Sequence, residues 1–308
     1  MISSYKLVNN GFWPVSAGNA PEWIDLEDPC SEELSEIAAR YNVPPMFLVD
    51  PLDHRERPRL DDENGISLVI VRLPIYHNSA KRQFSTMPLG LIMMPGMVIT
   101  VCREPGIVKQ LVSRQIRKPR QVALSSMLYK IFVEISSDFI HQLEVLEEMA
   151  EEAEMTLGKS QQNEQILTLL TIEKALINFS VALHSNRSIM EKVRNGDASQ
   201  LSKEQTDWVD YALNENQQAL FTVEIFGQIV GSMSDAFGTI ISNNLNKVMK
   251  FLTGVTIILM VPTLIVGAYG MNVQLPLAES PWAFAILVVF SVGLSLAIWL
   301  YFNRRKWI

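Results

Sequence analysis

Residues 246–272 read NKVMKFLTGVTIILMVPTLIVGAYGMN. No charged residue follows Lys250 until Glu279, so residues 251–269 can cross a hydrocarbon core of about 30 Å. Small and polar residues interrupt this apolar stretch in alternating steps of three and four. A period of about 3.5 residues keeps one helix face directed at a common axis. We call this set the polar stripe: Ser232, Asp235, Thr239, Ser242, Asn246, Met249, Thr253, Thr256, Met260, Thr263, Gly267 and Gly270.

Two interpretations of the polar stripe follow from its composition. Small residues are common where two membrane helices pack together, which favours a packing seam. Polar residues are also tolerated in a membrane where they face water, which favours a pore lined by several copies of the helix. The periodicity fits both interpretations.

A second uncharged stretch occupies residues 281–302 and reads PWAFAILVVFSVGLSLAIWLYF. Basic residues flank the pair of stretches: Lys247 and Lys250 lie before the first stretch, and residues 304–306 (Arg-Arg-Lys) lie after the second. The positive-inside rule therefore predicts two transmembrane helices with both termini in the cytosol. We expect an outer loop at 273–280, a second transmembrane helix at 281–303 and a basic tail at 304–308.

The first 250 residues have the pattern of a soluble protein. Apolar, β-branched runs at 66–73, 90–94 and 97–101 predict strands. Between the first strands, Asp28 as the cap and Pro29 at the first position predict the start of a helix. We therefore expect a mixed α/β cytosolic domain over 1–120. The net charge of −7 argues against nucleic acid as a partner.

Residues 121–200 are predicted to form a helical hairpin that breaks near Gly158. Its first helix is densely acidic towards the end. Carboxylates are suitable ligands for Mg²⁺ or Ca²⁺, whereas a solvated helix face explains the same charges without a metal. The solvated face is the interpretation we favour for these six residues: Glu144, Glu147, Glu148, Glu151, Glu152 and Glu154.

A long helix is predicted from Ser202, which forms a capping box with Gln205. No proline follows before Pro262, so a helical stalk and pore-lining helix over 201–272 would extend about 100 Å, with its membrane part at about 251–270. Pro262 frees the carbonyl of Ile258. The face opposite the polar stripe carries an apolar seam for neighbouring helices: Phe226, Val230, Met233, Phe237 and Ile240.

The end of the first transmembrane helix, Tyr269-Gly270-Met271-Asn272, resembles the Gly-Met-Asn signature of the CorA family of divalent-cation channels. A short loop, a second span and a basic tail follow it, as in that family. The run 246–250, Met260 and Thr263 also resemble the family's pore helix. Residues 23–26 (Trp-Ile-Asp-Leu) resemble part of its N-terminal domain, so the resemblance extends from there to the last residue.

The resemblance implies a funnel-shaped homopentamer with one central pore in a bacterial or archaeal plasma membrane. It implies transport of Mg²⁺, with Co²⁺ and Ni²⁺ as further ions, by a protein that is not an enzyme. Mg²⁺ is then the transported ion, its regulatory role is left open, and no covalent cofactor is expected. The expected partners are other copies of the chain, the lipid bilayer and divalent cations. The implied selectivity filter is Gly270, Met271 and Asn272.

The chemistry of a hydrated ion fits this assignment. Mg²⁺ gives up its water reluctantly, so a ring of neutral acceptors such as the Asn272 amide can select it through its hydration shell. Threonine hydroxyls below the filter are further acceptors, and rings of Met and Leu can gate a pore by dewetting. The expected pore-lining residues are Asn246, Met249, Leu252, Thr253, Thr256, Met260, Thr263 and Gly267.

The resemblance also indicates metal contacts outside the membrane span. Asp235 lies where the family has an acidic ring near the pore base, and Asn246 matches a polar ring at the inner mouth. Glu279 lies near a position where relatives carry an acidic residue, although the loop departs from the family's common Met-Pro-Glu-Leu pattern. The expected metal-contacting residues are Asp235, Asn272 and Glu279.

The soluble part departs from the family at its expected Mg²⁺ sensor. Tyr211 and Glu215 stand where some relatives carry an Asp and a His, and Asp207 and Asp210 nearby face differently. A gate closed by cytosolic Mg²⁺ is therefore predicted to be altered or absent. Two alternatives stay open. One is a proton-coupled zinc transporter resembling ZntB, against which Met271 argues. The other is a membrane-tethered enzyme or interaction protein, for which we find no catalytic motif.

Overall fold

The computed structural model describes most of the chain, in ranges separated by short gaps: 1–8, 11–15, 21–77, 83–116, 124–155, 162–196, 201–271, 281–305 and 307. It divides into two compact units, Met1–Ser232 and Met233–Ile308. The strands are β1 Ile2–Val8, β2 Gly11–Pro14, β3 Trp23–Glu27, β4 Arg59–Glu63, β5 Ile66–His77, β6 Gln83–Met94 and β7 Met97–Cys102. The α-helices are α1 Ser31–Tyr41, α2 Pro45–Val49, α3 Ile107–Ile116, α4 Met127–Met155, α5 Gln162–Gly196, α6 Lys203–Tyr269 and α7 Ala283–Arg304.

The first unit is built on one seven-stranded sheet of order β2-β1-β3-β7-β6-β5-β4. Only the β3–β7 pair among these strands is parallel. Successive side chains of β3 point to opposite faces of the sheet. Ile24 and Leu26 enter a core shared with α1 and α2, where Ile37 and Leu48 are buried. Helix α5 contacts strands β5 and β6, and helix α4 contacts β5.

The predicted strands are confirmed, and the structure extends each of them. The run 66–73 lies in β5, the run 90–94 lies in β6, and the run 97–101 lies in β7. The hairpin β5–β6 pairs from Ser67–Met93 to His77–Gln83. The predicted lengths were short because Pro74 and Pro88 interrupt the β-branched pattern, although both lie within strands.

The predicted start of the first helix was wrong. Helix α1 begins at Ser31 with Cys30 at its N-cap, and the Cys30 amide donates to Glu33 Oε2 over 3.0 Å. Asp28 has the left-handed φ of 41°. Its amide donates to the Cys102 carbonyl over 2.9 Å and continues the β3–β7 pairing past the strand end. This sheet contact holds Asp28 and Pro29 outside the helix.

Helices α4, α5 and α6 pack through aromatic rings and ion pairs. Phe139 on α4 meets Phe179 on α5 edge to face, with ring centroids 5.2 Å apart. Arg194 Nε on α5 lies 2.6 Å from Asp210 Oδ1 on α6. Lys130 Nζ on α4 lies 5.4 Å from the ring centroid of Trp208. The first unit thus combines the predicted α/β sheet with a helical section.

The acidic end of α4 is a solvated face. All six glutamates named above are exposed, while Leu143, Leu146 and Met149 of the same helix are buried. Among the residues that the structure describes, no group of three or more His, Cys, Asp or Glu side chains is arranged to hold a metal ion.

Helix α6 runs for 67 residues, close to the predicted length. Its capping box is confirmed, because the Ser202 amide donates to Gln205 Oε1 over 2.8 Å and the Gln205 amide donates to Ser202 Oγ over 3.3 Å. The apolar seam is buried at Phe226, Val230 and Phe237. It ends before Ile240, whose side chain is exposed.

The sheet also buries a carboxyl group that sequence analysis did not single out. Asp25 in β3 is fully buried, and its Oδ1 accepts a 2.6 Å hydrogen bond from the Thr100 hydroxyl. Trp23 Nε1 donates to the same hydroxyl oxygen over 3.0 Å. Asp25 Oδ2 has no hydrogen-bond partner within the described part of the chain. Burial raises the pKa of Asp25 to about 7. The hydrogen bond from Thr100 lowers this pKa in part, and the negative charge of Glu27 raises it.

This raised pKa predicts a stability that falls as pH rises. The ordinary carboxyl pKa is 3.8, so between that value and about 7 the folded state binds the proton more tightly than the unfolded state does. From pH 5 to pH 8 we expect this group alone to lower the free energy of unfolding by about 3 kcal/mol. Asp25→Asn keeps an acceptor for Thr100 and should remove that slope, as urea unfolding of the full chain would measure.

The exposed Glu36 on α1 provides a matched control. Glu36→Gln should leave the slope between pH 5 and pH 8 as it is in the parent chain. Equal slopes for the parent chain and Asp25→Asn would show that Asp25 does not titrate in this range.

Candidate ion pathway

In the second unit, one face of α6 packs against α7. On α6 this packing face holds the buried Gly254 and the half-buried Ile258, Pro262 and Ile265. On α7 it holds the buried Ser291 and the half-buried Ser295. The Ser295 hydroxyl donates to the Ile258 carbonyl over 3.2 Å, so the two helices share a polar contact at this level.

The polar stripe lies on the opposite face of α6. Residues two apart on a helix point about 200° from each other, and Met260 follows Ile258 by two. Every member of the stripe from Ser232 to Gly270 is exposed in the single chain. Met249 and Met260 keep 53% and 66% of their surface, and the neighbouring Leu252 keeps 57%. The stripe is therefore not the surface that packs on α7 within one chain.

The threonine hydroxyls of the stripe have a defined orientation. Thr256 donates to the Leu252 carbonyl over 2.8 Å, and Thr263 donates to the Leu259 carbonyl over 2.9 Å. A hydroxyl has one hydrogen and two acceptor lone pairs. Because each hydrogen is directed along the helix, each oxygen remains an acceptor on an exposed face. Such a surface can accept hydrogen bonds from the water shell of a cation.

The outer end of α6 closes with a turn. The Gly270 amide donates to the Val266 carbonyl over 2.9 Å, and the Met271 amide donates to the Ala268 carbonyl over 3.3 Å. A β-carbon at Gly270 would make only ordinary contacts, 3.5 Å from two backbone oxygens. Among the described residues of one chain, therefore, nothing sterically requires glycine there. The other predicted filter and loop residues, Asn272 and Glu279, lie outside the described residues.

The predicted sites before the membrane part of the helix are spread along α6. Asp235 and Asn246 are both exposed on the stripe. Tyr211 is 48% exposed and Glu215 is half-buried. Asp210 precedes Tyr211 by one residue and so lies about 100° from it around the helix, where it pairs with Arg194 of α5. Among the described residues, no group of three or more His, Cys, Asp or Glu side chains that could hold a metal ion forms around Tyr211 and Glu215.

In the part of the chain that the structure describes, three helices are long and apolar enough to cross a membrane, by length and composition. Two of them are α6 and α7, as the sequence predicted, and only 6% of the most apolar window of each is buried inside the protein. The third is α5, where 39% of that window is buried. Helix α5 packs through Phe179 and the fully buried Leu183 in the first unit. Its hydropathy is therefore that of a helix in a soluble core.

The chain matches the family described as CorA-like Mg2+ transporter protein over residues 18–305. The chain belongs to this family. The predicted resemblance is thereby confirmed at the level of the family.

Individual CorA proteins are similar along nearly their whole length. The cobalt/magnesium transport protein CorA of Methanocaldococcus jannaschii is 28% identical over 294 residues, which cover 93% of this chain and 91% of the relative. The complete structure of the CorA magnesium transporter from the same organism superposes with a TM-score of 0.81 at 24% identity. It covers 100% of this chain and 98% of that one. This structural similarity establishes the CorA fold, with an α/β unit, a long helix and a pair of membrane helices.

The fold is also similar to that of the ZntB cytoplasmic domain from Vibrio parahaemolyticus. That likeness has a TM-score of 0.62 at 14% identity and covers 78% of this chain and 98% of the ZntB domain. At this identity the likeness bears on the fold alone. The curated relatives named as CorA favour the magnesium branch over the zinc branch.

Sequence analysis missed Ser295 as a residue of the candidate pathway. The available signal was weak, because a serine in an apolar span is ordinary in membrane helices. Its meaning depends on which residue faces it, and the sequence does not show that the hydroxyl lies beside the carbonyl freed by Pro262.

Proposed function

We propose that this chain transports divalent cations across a membrane, with Mg²⁺ as the main ion and Co²⁺ and Ni²⁺ as further ions. The observation that carries the proposal is the exposed polar stripe, which continues along α6 on the face opposite α7. If the stripe served only the packing of α6 on α7, it would face α7. A polar stripe that faces away from α7 requires contact with either water or further copies of the chain.

In the proposed assembly, five copies surround one axis and each presents its stripe to it. The count of five is an inference from the family. Exposed hydroxyl oxygens of Thr256 and Thr263 would contact the water shell of the ion, and Met249, Leu252 and Met260 would narrow the path. Both termini are proposed to lie in the cytosol, because basic residues precede α6's membrane part and follow α7.

The proposed filter consists of Gly270, Met271 and Asn272 from each copy. Helix α6 ends at Tyr269, so its negative dipole end is directed at the filter and would favour a cation there. A neutral amide ring at Asn272 would hold the hydrated ion without stripping its water. Asp235 and Glu279 are proposed to raise the local cation concentration at the inner and outer mouths.

Gating by cytosolic Mg²⁺ is proposed to differ from that of relatives with a carboxylate sensor. The exposed Tyr211 has no charge to hold a cation, and Asp210 is paired with Arg194. Transport requires no covalent cofactor and no catalytic step in this proposal, since gradient and potential supply the driving force. For a divalent ion the potential contributes about 4.6 kcal/mol per 100 mV.

Ion flux into proteoliposomes tests the proposal. We expect an inside-negative potential to drive Mg²⁺ entry into vesicles that contain the full chain, reported by a trapped Mg²⁺ dye. Zn²⁺ entry that requires a proton gradient would instead assign the chain to the zinc branch. Vesicles that take up neither ion would contradict transport and favour a membrane-tethered protein.

A further inference from the structure

Helix α6 contains a carbonyl, that of Ile258, which lacks the usual amide partner four residues later. Each carbonyl in an α-helix normally accepts from the amide four residues later. Pro262 stands four residues after Ile258 and has no backbone N–H to donate. In a hydrocarbon environment an unpaired carbonyl is costly, so a donor from another element is required.

The second transmembrane helix supplies that donor. Ser295 Oγ lies 3.2 Å from the Ile258 carbonyl oxygen and donates to it. Ser291, one turn away on the same face of α7, is also buried, but its hydroxyl has no hydrogen-bond partner within the described chain. Within the described chain, Ser295 is hydrogen-bonded to α6 and Ser291 is not, so Ser291 is a natural comparison for Ser295.

Beyond Pro262 the two helices are separated by an open apolar groove. It has a volume of about 470 Å³ and is lined in part by Ile265, Ala268, Ile286 and Phe290. Within one chain, this groove lies at the level where α6 carries the outer members of the polar stripe. The polar contact at Ile258 lies on the inner side of that groove.

We propose that Ser295 is a positioning residue for the ion pathway, because its hydroxyl holds the Ile258 carbonyl that Pro262 frees and so sets the course of α6 beyond Pro262. Thr263, Gly267 and Gly270 lie on this outer part of the helix, directly before the filter. Their distance from the axis then depends on the Ser295 contact. The effect on transport rests on the proposed function, whereas the contact itself does not.

A double-mutant cycle tests the contact without any transport measurement. Ser295→Ala should lower the Tm of the full chain in detergent by about 2 °C, as expected for the loss of one interhelical hydrogen bond. Pro262→Ala restores an amide that donates to Ile258, so Ser295→Ala should have no effect on the Tm in that background. Ser295→Thr keeps the hydroxyl and should retain the parental Tm.

Ser291→Ala is the matched control, because it removes a buried serine hydroxyl that has no partner in the described chain. Its Tm should equal that of the parent or exceed it. An equal loss of Tm on Ser295→Ala in the parent and in the Pro262→Ala background would overturn the proposed contact, because the hydroxyl would then act independently of the freed carbonyl.

The positioning role is tested by Mg²⁺ flux in proteoliposomes. Ser295→Ala should lower the initial rate by about threefold, and Pro262→Ala should abolish this difference between serine and alanine. An unchanged rate together with an intact Tm cycle would overturn the positioning role. If the parent chain carries no Mg²⁺, the proposed function fails, and the Tm cycle still decides whether Ser295 holds the carbonyl.

Discussion

Replacing Asn272 with alanine is expected to lower Mg²⁺ entry into proteoliposomes by at least about tenfold. The amide oxygen is the proposed acceptor for the water shell of the ion, and hydrogen bonds to charged groups contribute about 1.5–3 kcal/mol each. Every copy around the axis would lose its acceptor at once. A methyl ring offers the hydrated ion no replacement, so the barrier at the filter should rise.

Asn303 near the end of α7 provides the control for this substitution. It is exposed and lies outside the polar stripe, so Asn303→Ala should transport Mg²⁺ at the parental rate. Loss of flux in both variants would indicate a general effect on folding or insertion. Mg²⁺ flux at the parental rate in Asn272→Ala would contradict the proposed role of Asn272 in the filter. The uptake of both variants should be compared at equal amounts of inserted protein.

A cysteine in the polar stripe is expected to make transport sensitive to a charged thiol reagent. In Thr256→Cys, a membrane-impermeant, permanently cationic methanethiosulfonate should lower Mg²⁺ flux on the order of 100-fold. A fixed positive charge a few ångströms from the ion raises its energy by about 4 kcal/mol or more. The Thr256→Cys protein should also carry Cys30→Ser, because Cys30 is exposed and could react with the reagent. Cys102 is buried and can be kept.

The same experiment separates a pore from a packing seam between copies. A thiolate forms only in water, so a cysteine in a dry helix contact would not react. Val289 on α7 is 72% exposed in the single chain and apolar, and Val289→Cys should not react if it faces lipid. No modification of Thr256→Cys, with Mg²⁺ flux intact, would show that the stripe packs against protein and that the ion takes another path.

Local patterns predicted much of the fold correctly. The capping box at Ser202, the length of α6 and the strands around Ile66 and Met97 depend on residues close in sequence, and the structure confirms them. The start of α1 was mispredicted because a non-local bond from Asp28 to Cys102 decided it. The hydropathy of α5 is likewise ambiguous until its packing on α4 is known.

By itself, the sequence determined the two apolar spans, the 3.5-residue period of the polar stripe and the proline that frees one carbonyl. These properties are set by residue type and spacing along one helix. Only the tertiary structure decided that the stripe faces away from α7, that Ser295 holds the Ile258 carbonyl and that Asp25 is buried beside Thr100. Each of these depends on which distant residues meet, because burial and hydrogen bonding are properties of pairs of elements.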